Sequence, residues 1–382
     1  LGNQTYNKET MLEYGWYGEN ATDVRTGYVN GIPTSGNDNS EGGMGKGGAQ
    51  MMAYPTLFFD YDKDDQRRDV SVCNYGIVLS AKGNKYQMNT YNGMGVGKYR
   101  INWKKEMGAT NSKRNINFPL LRYADVLLMY AEALNEVNNG PTQEAINAVK
   151  EVRKRAFRGN EAKAAAGIPT NHDDFLTFIQ KERKLELSNE GLRRTDLTRW
   201  GKQYEMLMAA KQRLINLAKR DGEFANVPVY RAYYLSTTPK FEDPTIALSY
   251  IDLSQADVEA LGLSADQIKT LKILNSSSKG SLKDVKLYEK DGKLYSAVNK
   301  PEGAVEHSYT ILNMFSIVSI KQKGNLCVED VTGVSSNNAW ITGNSGVFYG
   351  LQKNMTELMP FNTSKILDVN AGLEGQQHPA YK

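Results

Sequence analysis

NFPLLRYADVLLMYAEALNEVNNGPTQEAINAVKEVRKRAF (117–157) and FLTFIQKERKLELSNEGLRRTDLTRWG (175–201) are the stretches that decide the fold. Leu120, Leu121, Ala124, Leu127, Leu128, Ala131 and Leu134 recur at three- and four-residue steps, which puts them on one face of a helix opening near Pro119. Asn138-Asn139-Gly140 stops that helix and Pro141 can begin the next, with Ala145, Ile146, Val149, Val152 and Ala156 on its apolar side. So short a link predicts an antiparallel pair. A looser, Ala-rich connector follows from about Arg158 to Pro169. Thr170 with Asp173 resembles a capping signal for a third helix carrying Phe175, Phe178, Ile179, Leu185 and Leu187, ending near Asn189-Glu190-Gly191. A fourth is expected from Leu192 to about Arg220. Two helical hairpins of this size resemble tetratricopeptide units, although the Trp/Gly/Tyr consensus of that repeat is absent.

Outside this block the pattern changes. Residues 27–56 (GYVNGIPTSGNDNSEGGMGKGGAQMMAYPT) hold too many Gly, Asn and Ser for a helix. Gly43, Gly45 and Gly48 fit GxGxxG, but no strand precedes them and no acidic residue follows at the right offset, so the segment reads as a loop and not a dinucleotide site. Residues 56–103 read as strands and turns. Beyond Phe224, NVPVYRAYYLSTTP reads as a strand, SQADVEALGLSADQIKTLKIL as one or two short helices, KLYEKDGKLYSAV as a hairpin turning at Asp291-Gly292, and SYTILNMFSIVSI as a buried strand or short apolar helix. The expected fold is mainly α with an irregular α+β loop region. A loop- and strand-rich segment covers 1–116, a helical repeat-like scaffold 117–220 and a variable loop-rich region 221–382, treated as one structural unit without a linker.

Composition narrows the function. The chain has 382 residues, with 47 basic and 43 acidic side chains giving a net charge of +4, too weak and dispersed for a nucleic-acid partner. No apolar run approaches the ~20 residues of a membrane span. Cys73 and Cys327 lack metal-ligand spacing and read as buried free thiols, and His172, His307 and His378 are scattered. No cofactor is expected. Asp60, Asp62 and Asp64 form DxDxD, but Asp65 and Ser71 stand where a calcium loop wants Gly and Glu. These carboxylates read as a solvated acidic turn, with an unorthodox calcium site as the alternative.

The charged residues of the last two helices offer enough carboxylates for a glycosidase pair. However, Glu182, Glu186 and Glu190 are spaced by four and share one face, with arginines interleaved. Glu182, Arg183, Glu186, Glu190, Arg193, Asp196 and Arg199 therefore read as a structural ion-pair network, and no catalytic residue is assigned. Ligand contacts are sought instead among loop aromatics near amides, because sugars stack on rings and present hydroxyls to amides and carboxylates. Trp340, flanked by Asn337, Asn338 and Asn344, is the first candidate, with Tyr349 nearby. Trp16 with Tyr17, and Tyr28 with Asn30, come second, and Tyr230, Tyr233 and Tyr234 third.

RYADVLLMYAEALNE (122–136), KERKLELSNEGLRRTDLTRWG (181–201) and the tail LMPFNTSKILDVNAGLEGQQHPAYK (358–382) together resemble the RagB/SusD family of nutrient-uptake lipoproteins. DKDDQRRDVS also resembles that family's D-x-R-R strip. Phe361-Asn362 and His378-Pro379-Ala380-Tyr381 depart from the family's usual ending. The resemblance implies a tetratricopeptide-like scaffold docked on a SusC-like TonB-dependent transporter barrel, with a loop-rich face holding ligand over its mouth as a hinged lid. It implies a lipid-anchored place on the outer-membrane surface and no catalysis. It also implies that the anchor, signal peptide and first helical pairs are absent from this sequence. The ligand expected is an oligosaccharide, or alternatively an oligopeptide. A surface glycosidase and a helical protein-binding adaptor are the readings from other classes.

Overall fold

The computed structural model describes residues 9–14, 31–37, 47–48, 50–80, 85–100, 117–234, 249–272, 280–315 and 351–353. They form a mainly helical scaffold accompanied by small sheets. The chain divides into two compact units, residues 1–191 with 228–317, and residues 192–227 with 318–382. The division falls inside the stretch expected to be one helical scaffold.

In the larger unit, α1 (Pro55–Asp60) and α2 (Arg67–Ser71) precede α3 (Tyr123–Val137), α4 (Gln143–Ala156), α5 (Glu161–Ala165) and α6 (His172–Glu186). The apolar stripe of α3 buries Ala124, Leu128 and Ala131 against Ala145, Val149 and Val152 of α4 and Phe175 and Ile179 of α6. Leu128 is fully enclosed, worth about 2–3 kcal/mol relative to exposure. Asn139 and Gly140 turn the chain with φ of 51° and 154°, and the Thr142 hydroxyl caps α4 by accepting from the Ala145 amide. The cap of α6 is Asn171 rather than Thr170, its side chain accepting from the Asp174 amide.

Three elements differ from the sequence expectation. Phe118–Arg122 is a strand (β7) paired antiparallel with Thr10–Tyr14 (β1), and α3 opens only at Tyr123. Extended backbone at Arg122 aims its guanidinium at the end of α6, and Phe118 stacks on buried Tyr99 at 5.7 Å. The run LFFDYDKDDQRRDVS holds two short helices, α1 and α2, where strand and turn were expected; Pro55 sits at the helix start, where its missing N–H costs nothing. The connector after α4 contains α5, capped by Asn160.

The remaining strands of this unit are β2 (Thr34–Asn37), β3 (Val72–Cys73), β4 (Tyr75–Ser80), β5 (Lys85–Met88), β6 (Gly95–Val96), β8 (Tyr230–Tyr234), β9 (Ser249–Leu253), β10 (Ser281–Lys290), β11 (Lys293–Tyr295) and β12 (Val305–Asn313). One sheet has the order β11-β10-β12-β8-β9 with antiparallel neighbours throughout. Its hairpin turns at Asp291-Gly292, both at positive φ (52° and 72°), as the sequence predicts. Short helices α9 (Gln255–Ala260) and α10 (Ala265–Lys272) contribute Val258 and Leu271 to the core under this sheet, with Ala232, Val285, Leu287, Tyr309 and Ile311. Cys73 is a buried free thiol donating to the Tyr75 carbonyl, whereas Cys327 lies outside the described residues.

In the smaller unit the single fourth helix expected from sequence is two, α7 (Arg193–Arg199) and α8 (Gln203–Lys219). Gly201, at φ 65°, ends α7, with its amide bonded to the Thr198 carbonyl and that of Lys202 to Leu197.

Candidate functional site

Two groups of polar side chains in the larger unit have the composition of a site. The first lies at the C-terminal end of α6. Glu182 and Glu186 lie on α6 and Glu190 in the turn that follows it, where the sequence expects one continuous helical face, and all three are buried. Their cations come from distant segments. Arg67 donates from Nη1 to Glu182 Oε1 at 2.6 Å and to Glu186 Oε2 at 3.0 Å. Arg122 bridges Glu190 Oε2 at 2.7 Å and Glu186 Oε1 at 3.0 Å. Lys98 Nζ reaches Glu190 Oε1 at 2.5 Å, Arg153 reaches Glu182, and Arg155 donates to Glu186. Arg183 bonds buried Asp125 at 2.7 Å. In the smaller unit Asp196 accepts from Arg199 at 3.0 Å, and Arg193 and Arg199 both lie over the Trp200 ring.

Burial works against the Glu186 charge, but Arg122, Arg155, Arg67 and Lys98 outweigh it and hold this carboxyl at about 2. Burial pulls the Lys98 ammonium down, opposed by Glu190 and Glu186. A carboxylate this firmly ionised cannot deliver a proton near neutral pH, which general-acid catalysis requires.

A cavity of about 390 Å³ lies beside this cluster, lined by Asp60, Asp62, Phe157, Lys163, Phe178 and Glu182 among others. Most of its charges are already engaged. Asp60 pairs with Lys184, Lys163 with Asp64, and the Arg153 guanidinium sits 5.3 Å from the Phe157 ring and 5.1 Å from that of Phe178. Among the described residues no group of three His, Cys, Asp or Glu could hold a metal ion.

The second group lies at one end of the five-stranded sheet. Tyr234, half-buried at the end of β8, stacks on His307 of β12 at 4.0 Å and 13°. Buried Tyr309 meets the Tyr234 ring edge-on at 5.0 Å, and its hydroxyl donates to Glu289 Oε2 at 2.9 Å. Burial, reinforced by the Glu289 carboxylate, pushes the Tyr234 hydroxyl up. Of the other early candidates, Tyr230 is buried and its hydroxyl bonds Gln255 at 3.0 Å, and Tyr233 is half-buried. Trp340, Asn338, Tyr349, Trp16 and Tyr28, with Asn337, Asn344, Tyr17 and Asn30, lie outside the described residues.

Sequence reasoning missed His307, Tyr309 and Glu289 as companions of Tyr234. The alternation HisxTyrxIle at 307–311 was the available signal, since it puts these side chains on one sheet face.

A sequence model of the SusD family matches residues 8–260. SusD-like protein P2 of Formosa agariphila is 32% identical over 157 residues, 39% of this chain and 31% of that protein. SusD-like protein P25 of the same organism is 43% identical over 82 residues, 22% of this chain and 15% of that protein. Among solved structures, a SusD homolog from Bacteroides thetaiotaomicron is 27% identical with a TM-score of 0.49, covering 61% of this chain and 46% of its own. Surface glycan-binding protein A from the same species, solved with laminarihexaose, is 21% identical with a TM-score of 0.38, covering 52% and 44%. The matched stretches span less than half the length of each of these relatives.

Proposed function

Because the chain belongs to the SusD family, we propose that it captures an oligosaccharide at the cell surface and delivers it, without chemistry, to a SusC-like TonB-dependent outer-membrane transporter. The family match over residues 8–260 carries this reading. In it, the chain is held at the outer membrane through a lipid anchor and acts as a lid, the ligand shifting a population between open and closed positions. Non-catalytic capture is supported by Glu182, Glu186 and Glu190, each committed to arginine or lysine, with Glu186 held far below the range of a working acid. No helix among the described residues is long and apolar enough to cross a membrane.

The test is isolation of the native complex from outer membranes, with mass spectrometry of its protein and ligand content. A TonB-type barrel carrying oligosaccharide is the expected result. Bound peptides would replace the ligand class, and a solitary protein with neither would overturn the proposal.

A further inference from the structure

Along the core face of the five-stranded sheet, Leu287, Tyr309, Ile311 and Ala232 are buried. Glu289, His307 and Tyr234 follow on that same face at one end, and all three are only half-buried. Val305, directly across from Glu289, is 55% exposed and adds apolar surface. Tyr309 occupies one oxygen of Glu289. Among the described residues nothing bonds the other oxygen, the Tyr234 hydroxyl or the His307 ring nitrogens.

These polar tips are open to solvent and not to protein partners, so a ligand that replaces water there can bond them without breaking an internal contact. A donor-acceptor hydroxyl, an imidazole and a carboxylate, set on an aromatic pair with an aliphatic neighbour, suit a molecule with C–H faces and a rim of hydroxyls. Charge narrows the class. Lys286 and Lys290 stand at the alternate positions of β10, on the opposite face from Glu289, where they meet Glu306 at 3.5 Å and the Glu302 carbonyl at 2.8 Å. Glu289 makes no ion pair among the described residues, so its carboxylate disfavours uronate or sulfate groups.

We infer that Glu289, His307 and Tyr234 form a recognition point for a neutral oligosaccharide, Glu289 accepting from its hydroxyls and the Tyr234–His307 pair with Val305 contacting its C–H surface. The inference rests on the capture function proposed above and adds its contact residues and ligand charge.

Isothermal titration of the whole chain against laminarihexaose, cellohexaose and maltohexaose, with hexagalacturonate as the anionic counterpart, tests it. The chain is expected to bind at least one neutral hexamer and to reject the galacturonate. Glu289→Gln and Tyr234→Ala should each weaken that binding by about tenfold, the scale of one well-placed contact. Tyr234→Phe keeps the ring and removes only the hydroxyl; a weakening of roughly threefold is expected for a neutral hydrogen bond, whatever the fate of the alanine variant. Unchanged affinity in folded Glu289→Gln and Tyr234→Phe would overturn the recognition point while leaving glycan capture standing. Preference for galacturonate would overturn the ligand class, and no binding of any hexamer would overturn both this inference and the function it rests on.

Discussion

Glu186 and Glu289 are both carboxylates of the larger unit, in opposite circumstances. Glu186 is 4% exposed and accepts from Arg67, Arg122 and Arg155, so every direction from which a ligand could approach is taken. Glu289 is half-buried, accepts from one tyrosine hydroxyl and keeps an oxygen open beside a stacked aromatic pair. Charge density alone singles out the Glu186 region, where carboxylates and arginines are thickest. Partner saturation singles out the other, because a side chain whose hydrogen bonds are complete contributes to folding and not to recognition.

Breaking the saturated side should have the largest effect. Glu186→Ala leaves three arginines short of a carboxylate, and such a loss typically costs about 3–5 kcal/mol. Urea unfolding measures it; a cost below ~1 kcal/mol would place Glu186 with the surface ion pairs. Acid should act on the same group. Its folded-state carboxyl sits at about 2 against an ordinary 4.5, so the stabilisation is fully present above 4.5 and is lost as pH falls toward 2. The loss should be on the order of 3 kcal/mol across that window. Urea midpoints at successive pH values should fall steeply in the parent chain and less steeply in Glu186→Ala; parallel curves would contradict the assignment.

Smaller effects sharpen the contrast. Tyr61 is buried, its hydroxyl donating to the Leu185 carbonyl at 2.7 Å beside Ser188, and burial pushes it up to about 12. Tyr61→Phe should cost about 1 kcal/mol in the same urea assay, the net worth of one buried hydrogen bond. Glu289→Gln should change stability by no more than about 0.5 kcal/mol, since the amide oxygen can still accept from Tyr309. A destabilisation like that of Glu186→Ala would make the sheet-end patch structural and erase the distinction.

The helices were legible because their information is local. Ala124, Leu128 and Ala131 repeat at helical spacing, and the Asp291-Gly292 turn carries its signature in two adjacent residues. What sequence concealed is non-local. Leu120 and Leu121 fit the helical period, yet Phe118–Arg122 is extended and Arg122 reaches Glu190, 68 residues away. Arg67 finds Glu186 across 119 residues, so the partners of the α6 glutamates could not be read from the arginines beside them. Tyr234 was visible as an aromatic near a strand end, but Glu289 and His307 join it only through strand register.

The central claim is capture without turnover. Its most direct test is to incubate the whole chain with the neutral hexamers, follow binding by calorimetry and analyse the sugar afterwards by mass spectrometry. The account predicts saturable binding with the hexamer recovered intact; shortened products, or heat indistinguishable from buffer for every hexamer, would contradict it.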